Sequence, residues 1–178
     1  AELDERMLLR RDLRHALADG QMFVVFQPRV AGTHGQIASV EALLRWRHPD
    51  KGFVSPEIFI ALAEESEFIL ELGRWVLRQA LGQFQQWRSI PNHPVRHLSV
   101  NLSPLQLADP ALPAQLKALL EEFHIQPGEL ELEITEGALI RDVDTAVERL
   151  AALRALGVAI ALDDFGVGYS AMSYLSQL

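Results

Sequence analysis

Residues 129–135 read Glu-Leu-Glu-Leu-Glu-Ile-Thr. In an extended strand successive side chains point to opposite faces, so Glu131, Glu133 and Thr135 share one face and Leu130, Leu132 and Ile134 the other. The alternation recurs elsewhere. Around Glu41, one face takes Glu41, Leu43 and Arg45, and the other takes Val40, Ala42, Leu44 and Trp46. Ser99 and Asn101 oppose Leu98, Val100 and Leu102; Ala159, Ala161 and Asp163 oppose Val158, Ile160 and Leu162. The bulky face must bury against covering helices, which leaves a smaller, more polar face pointing elsewhere. A two-sided α/β layer would be apolar on both faces. A polar inner face suits a barrel whose interior opens into a polar funnel.

Working outward, five β-like runs are expected: Phe23 to Val30, Ile37 to Trp46, His97 to Val100, Glu129 to Ile134, and Val158 to Leu162. Helical stretches separate most of them, which implies βα units and a parallel sheet. The first two strands are joined by only Ala31-Gly32-Thr33-His34-Gly35, too short for a crossover, so that pair is expected to be antiparallel. An opening amphipathic helix carries Leu9, Leu13, Ala16 and Leu17 on one face and stops at Gly20. It could dock on the barrel or join an upstream domain. Ser55-Pro56 reads as an N-cap with proline at the first helical position, followed by two helices broken near Gly73. Ser103-Pro104 opens another helical region. A later helix, Asp144 to Ala155, lays Ala146, Leu150 and Leu153 on one face and ends at Gly157.

The composition narrows the function. The 178 residues carry 16 basic and 24 acidic side chains, a formal net charge of −8, with 49% hydrophobic residues. That suits one globular domain. An acidic balance disfavours a non-specific nucleic-acid binder, which needs an excess of Lys and Arg. The absence of cysteine excludes disulfide scaffolds, thiol nucleophiles and Cys-based zinc sites. No apolar run approaches the ~18 residues of a membrane span, and the N-terminus has no signal-peptide pattern. A reduced, cytoplasmic setting fits, as does a piece of a longer polypeptide.

Each later strand, and the run around Glu41, also carries an oxygen-bearing residue expected near its C-terminal end: Glu41, Asn101, Glu133, and the pair Asp163-Asp164. That is where barrel enzymes assemble their sites. Any one of them could instead be a helix cap or a solvated strand end. Four carboxylates and an amide at one mouth would repel one another unless cations sat among them. Oxygen ligands without Cys or a His pattern point to Mg²⁺ or Mn²⁺, not zinc.

The motifs Phe26-Gln27-Pro28, Glu41-Ala42-Leu43-Leu44-Arg45-Trp46, Asn101-Leu102-Ser103-Pro104, Glu133-Ile134-Thr135-Glu136 and Asp163-Asp164-Phe165-Gly166-Val167-Gly168-Tyr169-Ser170 occur in this order. In these residues the chain resembles the EAL family of cyclic di-GMP phosphodiesterases, over nearly its whole length. The resemblance implies a TIM-like (β/α)₈ barrel with an antiparallel first strand, of which about five strands are present. It implies metal ligands at Glu41, Asn101, Glu133, Asp163 and Asp164, and contacts to the dinucleotide from Gln27, Leu43 and Arg45. Glu136, on the opposite strand face from Glu133, matches a glutamate that steadies the loop 164–170, which in relatives couples homodimerisation to metal binding. Arg45 could reach the second phosphate or could form a salt bridge at the rim.

Other patterns carry less. Asp164-Phe165-Gly166 spells a kinase metal motif but lacks its companions, and Asp142-Val143-Asp144 precedes a helix and reads as a cap. The six histidines show no paired helical spacing and read as structural or surface groups. The family's catalytic lysine, on a sixth strand, has no match: the lysines here are Lys51 and Lys117, so none of residues 1–178 is assigned that role and the lysine is expected beyond Leu178. The expected activity is metal-dependent hydrolysis of cyclic di-GMP to linear pGpG by an EAL-type domain spanning 1–178, with 1–20 as a lead-in helix and a regulatory domain upstream. A non-hydrolysing receptor for the same dinucleotide and a dimerisation scaffold are the alternatives.

Overall fold

The computed structural model describes residues 2–31, 36–135 and 143–163. Helix α1 (Glu2–Ala16) leads into a hairpin of β1 (Met22–Ala31) and β2 (Gln36–His48), and β3 (Gly52–Val54) pairs with the far end of β2. There follow α2 (Pro56–Glu65), α3 (Ile69–Arg88), β4 (His97–Leu102), α4 (Pro104–Ala108), α5 (Leu112–Glu122), β5 (Leu130–Thr135), α6 (Val143–Ala155) and β6 (Ala159–Asp163). The sheet runs β1-β2-β4-β5-β6. The β1–β2 pair is antiparallel, as the short connection demands, and β2–β4, β4–β5 and β5–β6 are parallel.

The apolar strand faces bury as the alternation requires. Leu98, Val100, Leu130, Leu132 and Ile134 lie under Leu77, Leu81 and Phe84 of α3, Leu116 of α5, and Leu150 and Leu153 of α6. Removing such area from water contributes about 25 cal/mol per Å². A second cluster settles where the lead-in helix goes: Leu9, Leu13 and Ala16 pack with Met22, Trp46 and Phe59. Helix α1 docks on the hairpin and α2. Beside this contact, the buried His48 accepts the backbone N–H groups of Asp50 (3.1 Å) and Lys51 (3.3 Å) at Nδ1. Its proton must then sit on Nε2, which donates to Asp12 Oδ2 on α1 at 3.3 Å.

Three local expectations are corrected. The helical stretch after Ser55 breaks at residues 66–68, not near Gly73: the Ser66 hydroxyl bonds the Leu62 carbonyl at 2.8 Å, and Glu67 takes a φ of 57°. Ser55 occupies the N-cap position, but its side chain makes no capping hydrogen bond; its carbonyl takes the N–H groups of Ile58 and Phe59 instead. Strand β3 was not foreseen, because three residues carry too little alternation to read.

Gly73 lies buried inside α3 for a steric reason. A Cβ there would stand 1.8 Å from Gln106 Nε2 and 2.5 Å from its Cδ. Gln106 cannot simply swing away, since its Oε1 accepts the Ser103 N–H at 3.0 Å while its own N–H bonds Ser103 Oγ at 3.3 Å. This capping box opens α4 from Ser103, two residues after Asn101.

Gly73→Ala is expected to lose about 1–3 kcal/mol to overpacking, partly offset by ~1 kcal/mol of helix propensity. The net loss should appear as a lowered Tm in thermal denaturation, and Gln106→Ala in the same background should recover part of it. Asp12→Asn tests the helix dock. The Arg11 guanidinium first, and His48 second, hold the Asp12 carboxyl below its usual 3.8. A depressed carboxyl stabilises the fold above its unfolded pKa and loses that contribution as pH falls through the folded one. The variant should therefore melt below wild type at neutral pH, with the gap closing as pH drops below 3.8.

Candidate functional site

The register of the ladders gathers the polar inner face. Gln27 on β1 stands opposite Glu41 on β2, Glu41 opposite Ser99 on β4, and Ser99 opposite Glu131 on β5. One step further along, Asn101 pairs with Glu133, and Glu133 with Ala161 of β6. Asp163 follows on β6, opposite Thr135. Asp163 is placed by its backbone alone; Asp164 and Glu136, with the loop 164–170, lie outside the described residues.

Glu41 differs from expectation in one respect. It sits mid-strand in the long β2, but it lies one residue before the end of the parallel ladder with β4, whose last pair is Ala42 with Val100. Beyond that point β2 continues beside β1 and β3. The mouth is therefore set by where the parallel pairing stops, not by where β2 stops.

Side chains converge around Arg29, two residues after Gln27 and on the same strand face. Its Nη2 donates to Glu41 Oε2 at 2.9 Å and lies 2.5 Å from Glu133 Oε1. Its Nη1 donates to Ser99 Oγ at 3.3 Å and stands 3.5 Å from Glu131 Oε1. Ser99 in turn donates to Glu131 Oε1 at 2.9 Å, and Asn101 Nδ2 donates to Glu41 Oε1 at 2.8 Å. Sequence reasoning missed Arg29. The available signal was its period-two spacing from Gln27, which puts it on the charged face of an antiparallel neighbour.

Burial differs across the cluster. Glu133 is 5% exposed and the Glu41 side chain 19%, whereas Arg29 keeps 39%. Burial pushes the Glu133 carboxyl above its ordinary value; the Arg29 charge opposes this, and Glu41 adds to it. For Arg29 the neighbouring Glu41 and Glu133 carboxylates outweigh desolvation and hold the guanidinium more firmly protonated. Glu133 Oε1 is buried with the Arg29 guanidinium as its charged neighbour and makes no aligned hydrogen bond.

That buried oxygen suits a hard cation. Glu41, Asn101 and Glu133 supply carboxylate and amide oxygens of the type Mg²⁺ and Mn²⁺ prefer. Among the described residues no three acidic or histidine side chains form a ready cation site. Arg29 lies between Glu41 and Glu133. Of the other expected residues, Gln27 is exposed beside Glu41, and Leu43 and Arg45 are half-buried further along β2. Arg45 Nη1 donates to the Leu44 carbonyl at 2.9 Å, and among the described residues it meets no carboxylate within 4.0 Å. The rim salt bridge is thus not formed by the described residues.

Comparison with known proteins agrees with this fold. The bifunctional diguanylate cyclase/cyclic di-GMP phosphodiesterase MucR of Pseudomonas aeruginosa is 40% identical over 178 residues, covering 100% of this chain and 26% of that protein. An uncharacterized signaling protein of Caulobacter vibrioides is 46% identical over 97% of this chain and 21% of its own length. The chain therefore spans about a fifth to a quarter of these curated relatives. Among solved structures, the MucR phosphodiesterase in complex with c-di-GMP matches with a TM-score of 0.89 at 40% identity, covering 96% of this chain and 69% of that one. The FimX EAL domain of Pseudomonas aeruginosa bound to c-di-GMP matches with a TM-score of 0.82 at 25% identity, covering 96% and 67%. These likenesses bear out the fold class, part of a TIM-like barrel led by an antiparallel strand. The sequence profile of the EAL domain matches residues 10–178, and with the shared sheet and motif order this chain belongs to the EAL domain family.

Proposed function

We propose that this chain binds cyclic di-GMP and contributes the metal-holding half of a phosphodiesterase site that opens the dinucleotide to linear pGpG. The observation that carries the reading is the convergence of Glu41, Asn101 and Glu133 on one face, with Glu41 bonded to Asn101 at 2.8 Å and Glu133 Oε1 buried against the Arg29 guanidinium without an aligned hydrogen bond. Relatives named as cyclic di-GMP phosphodiesterases support it.

In this reading Glu41, Asn101, Glu133, Asp163 and Asp164 hold Mg²⁺ or Mn²⁺, and Gln27, Leu43 and Arg45 hold the dinucleotide. Such cations, when bound, lower the pKa of water and neutralise charge on phosphoryl oxygens. The protein's own part is orientation. Glu41 is fixed by Asn101, and the apolar layer beneath keeps both strands in register. Arg45, four residues along the same face, stands ~13 Å away if β2 is fully extended. Its guanidinium is tied only to a carbonyl among the described residues, which leaves donors for a second phosphate. Glu136 belongs to the same reading as the residue that steadies loop 164–170 in a homodimer, with a regulatory domain upstream in a cytoplasmic protein.

The chemical step needs more than this cradle. Lys51 bonds Glu5 at 2.5 Å beside α1, and Lys117 lies on α5, so neither faces the site. A positioned lysine to orient the attacking water must come from outside these 178 residues. Binding without that orientation does not accelerate the step.

A chromatographic assay for linear pGpG with Mg²⁺ or Mn²⁺ tests the reading on the 178 residues and on a longer polypeptide that carries them. Turnover is expected in the longer protein and is expected to be orders of magnitude lower in the 178 residues. No turnover in either would overturn the hydrolase reading, and equal turnover would show the lysine to be dispensable. Arg45→Ala in the longer protein should weaken cyclic di-GMP binding about tenfold or more, the size of a lost charged hydrogen bond. Mn²⁺ affinity should stay nearly unchanged, because Arg offers no metal-ligand atom at neutral pH. Unaltered dinucleotide affinity by titration calorimetry would remove Arg45 from the substrate site.

A further inference from the structure

Arg29 is a cation held where the family resemblance expects divalent ions. Its Nη2 edge spans Glu41 and Glu133, two of the expected ligands, while its Nη1 edge faces Ser99 and Glu131, which are not among them. The two edges thus address two different sets of partners across three strands. A register shift between Arg29 and Val30, where β1 skips a residue of β2, sits immediately beside it. Such irregularities re-aim a side chain relative to a regular ladder. Ser99, 2% exposed, is locked onto Glu131 by its own hydrogen bond, so the Nη1 partners form a preorganised acceptor pair.

A guanidinium and a divalent cation compete for the same carboxylate oxygens. Two like charges so close repel strongly, and an arginine cannot shed its proton to make room. The Arg29 side chain is long and partly exposed, so it can withdraw without breaking a packed core. Glu131 and Ser99 offer a place to withdraw to that leaves the charge compensated.

We propose that Arg29 is the resident counter-ion of the acidic cradle, and that it yields Glu41 and Glu133 to an entering divalent cation by retreating onto Ser99 and Glu131. The proposal rests on the metal reading above and adds a positioning residue to it. Arg29 keeps the inner face from flying apart before metal arrives, and sets how much cation is needed to load the site. Glu131 tunes that threshold by stabilising the withdrawn position.

The test is Mn²⁺ binding by titration calorimetry, together with Tm in metal-free buffer, on the intact protein and its variants. Arg29→Gln should lower the metal-free Tm and raise Mn²⁺ affinity about tenfold or more, since a competing charge is gone. Arg29→Lys should fall between the two. Glu131→Gln should weaken Mn²⁺ binding in the wild-type background and leave it unchanged when combined with Arg29→Gln. That coupling separates a retreat site from a general change in charge. If Arg29→Gln does not fold without metal, saturating Mn²⁺ should restore it, and failure to do so would overturn the counter-ion role. Equal or weaker Mn²⁺ binding by Arg29→Gln would also overturn the proposal while leaving the metal site standing. Absence of Mn²⁺ binding in the wild type would instead overturn the metal reading itself.

Discussion

A slip of one residue in β5 against β4 would drive Glu131 and Glu133 into the helix-packed layer and turn Leu130, Leu132 and Ile134 onto the inner face. The parallel ladder forbids it, because the apolar face is buried under α3, α5 and α6. That single constraint passes through every strand. Val40 and Ala42 register β2, Leu98 and Val100 register β4, and the carboxylates on the opposite faces come into line as a consequence. The chemistry of the inner face is inherited from the greasiness of the outer one.

Bringing carboxylates together has an electrostatic cost that the fold must offset. Glu133 shows it most clearly, being nearly buried, with its carboxyl pushed upward and one oxygen lacking an aligned hydrogen bond. Arg29 supplies the compensating charge from β1, antiparallel to β2, reaching across β2 to β4 and β5. A buried carboxylate with a single partner is poorly compensated, and removing that partner is usually costly. In the proposed metal reading the same tension makes the site receptive, since a hard cation would compensate Glu133 better than one guanidinium already shared among Glu41, Glu131 and Ser99.

The helix layer bears on the site through a narrow contact. Gly73 lets α4 approach α3 closely enough for Gln106 to complete the capping box with Ser103, and Ser103 begins the turn that follows Asn101. Asn101 then orients Glu41. A packing detail in the interior of α3 is thereby connected, through backbone and one side chain, to a residue on the polar face. Seven residues beyond Glu41 on β2, His48 bonds Asp12 and ties α1 to the hairpin.

Much of this was legible in the residues themselves. Period-two alternation in residues 129–135 and around Glu41 exposed both the strand assignment and the division into polar and apolar faces, because side-chain direction in a strand is a local property. The short connection after β1 dictated an antiparallel first pair for the same local reason. The motif order identified Glu41, Asn101 and Glu133 as partners before any contact was visible. What the sequence could not contain was relative placement across strands. Ser66, not Gly73, ends α2, because Gly73 answers to Gln106, thirty-three residues away. Glu41 marks the mouth only because the ladder with β4 stops beside it. Arg29 looked like an ordinary residue after Gln27-Pro28 until the register carried its guanidinium between Glu41 and Glu133. Contacts between residues 12, 70 and 104 positions apart exist only once the sheet has formed, and the charge balance of the site is decided there.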